Sequence, residues 1–169
     1  MTMKDYMSIP EYVIAPEFGI TLEVAEKIRK YHAYPMNHIR NKLGHPIIVS
    51  KRSGYRHEEH EKRMGRALTS THLFMEIPER QDPGFGAADY TVAPSLFYKF
   101  VSLLLQEEIY NRLIFYPERG FVHGDYRFVG VKRFFYVMEK GVLRKVVESD
   151  FLDSVWNRYV KLPTNTFTD

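Results

Sequence analysis

The second half of the chain most constrains the fold. After Asn111 the strand-like stretches LIFYP, GFVHGDYR and KRFFYVMEKGVLRKVVES follow one another with no helical segment between them. The last reads as a hairpin turning near Lys140-Gly141. Just ahead, PSLFYKFVSLLLQEEIYNRL is the clearest helix, with Pro94 at its start and Leu96, Phe100, Leu103, Leu104 and Ile109 along one side. Upstream, Thr21 is a good N-cap for LEVAEKIRKYHAYPMNHIRNKLG, which breaks at Pro35 and ends at Gly44. PIIVSKRSGY is rich in β-branched residues and reads as a central strand. RHEEHEKRMGRAL favours helix, STH is a turn, LFMEIPERQDPGFG is loop-like and AADYTV is a short strand. DFLDSVWNRYV is a final short helix with Asp150 as its cap. Residues 1–20 read as an irregular arm with one short strand. Helices and strands do not alternate regularly, so the expected class is α+β: a small, mainly antiparallel sheet packed with helices. The expected organisation is a single domain over 1–169.

Bulk chemistry narrows the function. There are no cysteines, so disulfides and thiolate chemistry are excluded. Any metal site must use His, Asp, Glu or water. The formal charge is +3 with the basic residues spread out, and no nucleic-acid-binding motif is present. No window approaches the ~20 apolar residues of a membrane span. The N-terminal stretch MTMKDYMSIPEYVIAPEFGI lacks a basic start followed by an apolar run, so no signal peptide is expected.

Seven histidines are available. His32, His38 and His45 lie in or beside the first helical region and read as surface or half-buried helix residues. His57 and His60 in HEEHE are only three apart, one short of the helical zinc-protease spacing, and read as a solvated face. His72, Asp89 and His123 differ, because each sits where a regular element meets a turn or beside small residues. Two imidazoles and a carboxylate with a fourth position left for water form a catalytic zinc set. Spacing alone makes that a weak signal. His123 and Asp125, two apart in an extended segment, point to the same face.

Four short motifs make it sharper: SGYR (Ser53–Arg56), STH (Ser70–His72), GAAD (Gly86–Asp89) and FVHGD (Phe121–Asp125). Their order, with the lead-in IRNKLGHPIIVSKRSGYR, resembles the zinc D-Ala-D-Ala metallopeptidases, which include murein peptidases and phage endolysins and share the hedgehog-type fold. The resemblance covers about residues 21–137, leaving 138–169 as a C-terminal extension. It implies His72, Asp89 and His123 as ligands of a Zn2+ ion. It implies Arg56 as the residue that holds the substrate, and Ser70 as a residue shaping the loop that presents His72. The implied activity is hydrolysis of peptidoglycan stem or cross-link peptides containing D-amino acids, with an acid moving the proton. The chain would be made in the cytoplasm and act on the wall at lysis, as a monomer or in association with a virion or holin. The alternative is a family-fold protein without catalysis, acting as a binding or virion component.

Two departures from the family pattern stand out. His72 and Asp89 are seventeen residues apart, far more than the family's usual spacing, so FMEIPERQDP reads as an inserted loop. The family's usual acid position, three before the last His, is Gly120. The candidate general bases are then Asp125, preferred, and Glu118, with the loop acids Glu76 and Asp82 behind them. Asp125 has a second available role, orienting a ligand from behind. A plain Asp125–Arg127 strand pair also remains open.

Overall fold

A computed structural model describes residues 7–50, 53–127 and 133–160. The N-terminal arm forms two single 3-10 turns, Ile9–Tyr12 and Pro16–Phe18, and Val13 bridges Tyr55 in parallel. Thr21 caps α1 (Leu22–Ile28) by accepting from the Val24 N–H at 3.2 Å.

Pro35 does not break the helix. The chain passes through one wide π-turn, Arg29–Ala33, and continues as α2 (Tyr34–Leu43). A proline lacks the N–H that would bond the carbonyl four residues back. That carbonyl, on Tyr31, accepts instead from the Tyr126 hydroxyl at 2.8 Å. The helix is therefore repaired by the segment just after GFVHGD. Gly44 closes α2 in the left-handed conformation, φ 74°, with its N–H on the Arg40 carbonyl.

The remaining elements are β1 (Ile48–Val49), α3 (Glu58–Arg63), β2 (Glu76–Ile77), β3 (Asp82–Pro83), β4 (Ala87–Thr91), α4 (Phe97–Gln106), β5 (Arg112–Tyr116), β6 (Phe121–Asp125), β7 (Phe134–Glu139), β8 (Val142–Val146) and α5 (Glu148–Tyr159). Six strands make one sheet in the order β1-β4-β6-β5-β7-β8, antiparallel except for the β5–β7 pair. This is the α+β, mainly antiparallel architecture that the run of consecutive strands implies.

The expected central strand is corrected. Of its described residues Ile48 and Val49 join the sheet, pairing with β4 at the edge, while Tyr55 bridges Val13 instead; residues 51 and 52 lie outside the described residues. Beyond them Ser50 and Ser53 both meet the backbone of Asp89: Ser50 N–H bonds the Asp89 carbonyl at 2.8 Å, and Asp89 N–H bonds the Ser53 carbonyl at 2.9 Å. The expected loop LFMEIPERQDPGFG contains the two-stranded hairpin β2–β3. The last helix begins at Glu148, with Val147 at its cap position, so Asp150 lies within the first turn instead of capping it. There its charge still favours the helix N-terminus. The long helix is shorter than expected and stops at Gln106; Arg133 then bonds the carbonyls of Leu104, Leu105, Ile109 and Tyr110, satisfying its C-terminal end.

The sheet is two-faced. On one face Tyr90, Val122, Leu113 and Phe115 are fully buried, together with Phe97, Phe100, Val101 and Leu104 of α4 and with Phe151 and Val155 of α5. Each such side chain contributes roughly 1.5–3 kcal/mol of burial. The alternate residues of β4, β5 and β6 point to the other face, where Asp89, Arg112, Ile114, Tyr116, Phe121 and His123 line a cleft.

His32 is corrected too. It is fully buried, not a surface residue. One ring nitrogen (Nε2) faces the Phe85 carbonyl and the other (Nδ1) the Tyr110 hydroxyl, both at 3.0 Å. A carbonyl only accepts, so Nε2 carries the proton and Nδ1 accepts from Tyr110. Burial pushes this imidazole down to about 4 and keeps it neutral. His38 pairs with Glu107 at the surface, and His57 caps α3 by accepting from the Glu59 N–H.

Candidate metal centre and its cleft

Strand register builds the centre. Asp89 on β4 and His123 on β6 are direct partners, so their side chains stand side by side on the cleft face. His123 Nδ1 lies 2.7 Å from Asp89 Oδ1. The third member arrives on a loop. Ser70 accepts from the His72 N–H at 3.3 Å and starts the 3-10 turn Thr71–Leu73. The SGYR segment then grips that turn: Arg56 N–H bonds the His72 carbonyl at 2.8 Å, and His72 Nδ1 donates to the Gly54 carbonyl at 2.9 Å. Gly54 must be glycine, because a Cβ there would lie 2.1 Å from the Tyr12 carbonyl oxygen. Its near contact with the arm is what positions the acceptor for His72.

With Nδ1 donating, the lone pair of His72 Nε2 faces Asp89 Oδ1 at 3.9 Å. One ligand atom from each of His72, Asp89 and His123 lies within 4.8 Å of the other two, and all three residues are buried. The structure thus brings together the three residues expected as ligands, although seventeen residues separate the first two.

The surroundings fit a cation. Each imidazole has its outer nitrogen occupied, His72 by the Gly54 carbonyl and His123 by Asp125 at 2.8 Å, which fixes the rings with their inner nitrogens converging. Burial pushes His72 down to about 3, so it stays a neutral donor. Burial acts the same way on His123 but is outweighed by the charge of Asp89 and the bond to Asp125, which push it up to about 9. Burial likewise works against the Asp89 charge, yet the neighbouring His123 holds its carboxyl below the usual range. Positive charge held on His123 between two carboxylates, with the neutral His72 nitrogen and the charged Asp89 oxygen converging beside it, marks a place that suits Zn2+.

Asp125 requires a correction as the preferred base. It sits on the outer side of the His123 ring, away from Asp89 and His72, and is fully buried. Arg112, its partner across β5, grips it through Nε at 3.0 and 2.9 Å and through a second guanidinium nitrogen. The Arg127 N–H takes a further contact at 3.0 Å. Every oxygen already accepts, and burial is outweighed by His123 and Arg112, which hold the carboxyl well below its usual range. Its contact with Nε2 fixes the orientation of the His123 ring. The expected alternative pair with Arg127 is only a backbone contact; the Arg127 guanidinium faces Asp82 at 3.8 Å.

Glu118 is corrected as well. It is exposed in the β5–β6 turn, accepts from the Lys140 N–H and does not line the cleft. Of the loop acids, Asp82 is buried against Arg127 and Glu76 lies on the exposed hairpin. Among the described residues, Asp89 is the one carboxylate lining the cleft, which has a volume of about 550 Å³.

Arg56 does line the cleft, 3.6 Å from Glu61. Two contributors escape sequence reasoning. Arg112 positions Asp125, but the pairing is set by strand register. Glu61, almost fully buried, holds Arg56 and Arg66 together from within HEEHE, a segment that reads as merely solvated. Its flanking arginines were the available signal.

A mostly antiparallel α+β domain with two histidines and an aspartate converging at an open cleft is a mononuclear metal-site architecture of the hydrolytic kind. A sequence model of the family described as Peptidase M15 matches residues 17–125, and the chain belongs to that family of zinc-dependent metallopeptidases. Neither the curated proteins nor the solved structures gave a match.

Proposed function

We propose that the chain is a zinc peptidase acting on peptidoglycan stem or cross-link peptides containing D-amino acids, in the manner of D-Ala-D-Ala carboxypeptidases or endopeptidases. The observation that carries this is the convergence of His72, Asp89 and His123 at a cleft that Arg56 also lines. Zinc, when bound, supplies Lewis acidity for the attack of water on a peptide carbonyl. His72, Asp89 and His123 hold it, and Asp125 and the Gly54 carbonyl fix the two rings. The Arg56 fork, steadied by Glu61, binds a substrate carboxylate or the polarised carbonyl oxygen. Ser70 shapes the loop that presents His72. Lysis of a host wall, or carriage on a virion, is the setting we assign.

One observation favours a second reading, a family-fold protein that binds without turnover. None of the acids expected as base lines the cleft. Asp89, which also bonds Ser53 and is itself one of the converging ligand groups, is the one carboxylate among the described residues that line it. The test is to load the protein with zinc and digest purified muropeptides, following the products by mass spectrometry beside a His123→Ala variant. Release of D-Ala or opening of cross-links by wild type alone supports the peptidase. Stoichiometric zinc with intact muropeptides supports the second reading.

A further inference from the structure

Among the described residues six arginines line the cleft: Arg56, Arg66, Arg80, Arg112, Arg119 and Arg127. Most of their charge is answered from behind. Asp125 neutralises Arg112, Asp82 faces Arg127, and the single carboxylate of Glu61 serves both Arg56 and Arg66. Arg80 and Arg119 remain, and among the described residues neither forms an ion pair with a carboxylate. Both are exposed at the mouth of the cleft. They reach it from different parts of the chain. Arg80 belongs to the inserted hairpin and is braced by its bond to the Thr69 carbonyl at 3.1 Å. Arg119 sits in the turn between β5 and β6.

One arginine is enough to seat one carboxylate. A cleft with unanswered positive charge on two further residues, delivered by separate parts of the chain, is built for more than one anion. Arginine forks recognise carboxylates with directional, charge-assisted hydrogen bonds. We infer that Arg80 and Arg119 select a substrate peptide with at least one extra carboxylate away from the bond attacked. A γ-linked D-glutamate at the second residue offers one such carboxylate in any stem peptide; diaminopimelate at the third residue, whose side chain ends in a carboxylate and an amine, offers a second, which lysine with only the amine lacks, and is therefore preferred. The inference rests on the cleft being the peptide site. It also gives the insertion between His72 and Asp89 a role, since the hairpin is what delivers Arg80.

The test uses two synthetic stem pentapeptides that differ only at the third residue, titrated calorimetrically into metal-free protein so that no turnover intervenes. The diaminopimelate peptide should bind about tenfold more tightly, the worth of one charge-assisted contact. The preference should shrink with added salt. In an Arg80→Gln/Arg119→Gln double variant it should fall below about threefold, while Lys99→Gln, a charge removed from the exposed face of α4, leaves it intact. Equal affinity for the two peptides, or a preference that survives the double variant, overturns the inference. So does tighter binding of inorganic tripolyphosphate than of either peptide, which marks a general polyanion site. Digestion of the same peptides by the zinc-loaded protein separates the two claims. Selective binding without cleavage defeats the peptidase reading alone, and cleavage without selectivity defeats this one alone.

Discussion

Replacing Asp125 with Asn separates an orienting residue from a base. The four groups around this carboxylate are all donors: two nitrogens of Arg112, Nε2 of His123 and the N–H of Arg127. Either orientation of an asparagine amide therefore turns an N–H2 toward a donor. The substitution also leaves the Arg112 guanidinium, about 90 % buried, without its counter-charge. Breaking a buried pair by removing one partner costs about 3–5 kcal/mol. Losing the anchor of a ligating imidazole lowers metal affinity about 10- to 100-fold. The expected result is a fall in unfolding free energy of that size, read by denaturant titration, together with weakened zinc binding in a chelator competition. An Asp125→Asn protein with wild-type stability and wild-type zinc affinity, impaired only in turnover, would refute this reasoning and restore Asp125 as the base.

Gly124 lies between His123 and Asp125 on β6, and a Cβ there would meet the Tyr110 ring at 2.3 Å. Gly124→Ala is expected to cost about 1–3 kcal/mol by overpacking and to weaken zinc binding by shifting the strand, checked with the same two titrations. His32 predicts a pH effect. Its folded value of about 4 lies below the unfolded value, so the unfolded chain takes up a proton first as pH falls. Stability from this residue is present at neutral pH and is lost as pH falls from about 6.5 toward 4, amounting to about 2 kcal/mol by pH 5. Denaturant titrations at pH 7 and pH 5 should show a stability loss larger in wild type than in His32→Gln by about that increment, the contributions of His72 and His123 being common to both.

The class of fold was legible because consecutive strands leave no room for crossover helices. The candidate centre was legible through the family resemblance that SGYR, STH, GAAD and FVHGD carry; in the structure each motif serves a local need: a glycine under the arm, a capped turn, small residues beside Asp89, a strand with a polar face. What escaped was set by pairing across the chain. Whether Asp125 faced the centre or the back of His123 depended on Arg112 being its neighbour on β5, and register leaves little trace in one sequence. The continuation of the helix through Pro35 depended on Tyr126, far along the chain, taking the orphaned carbonyl. The end of β1 depended on Ser50 and Ser53 turning to the backbone of Asp89. The insertion read as a loop because its two paired strands are only two residues each.

The central claim is that His72, Asp89 and His123 hold one zinc ion. X-ray absorption at the zinc edge, on protein purified with zinc and then dialysed, tests it most directly. The account predicts one zinc per chain, with two imidazole nitrogens at about 2.0–2.1 Å and oxygen in the remaining shell. His123→Ala should show one imidazole fewer. Zinc below stoichiometry, or an imidazole count unchanged by the loss of His123, would contradict it.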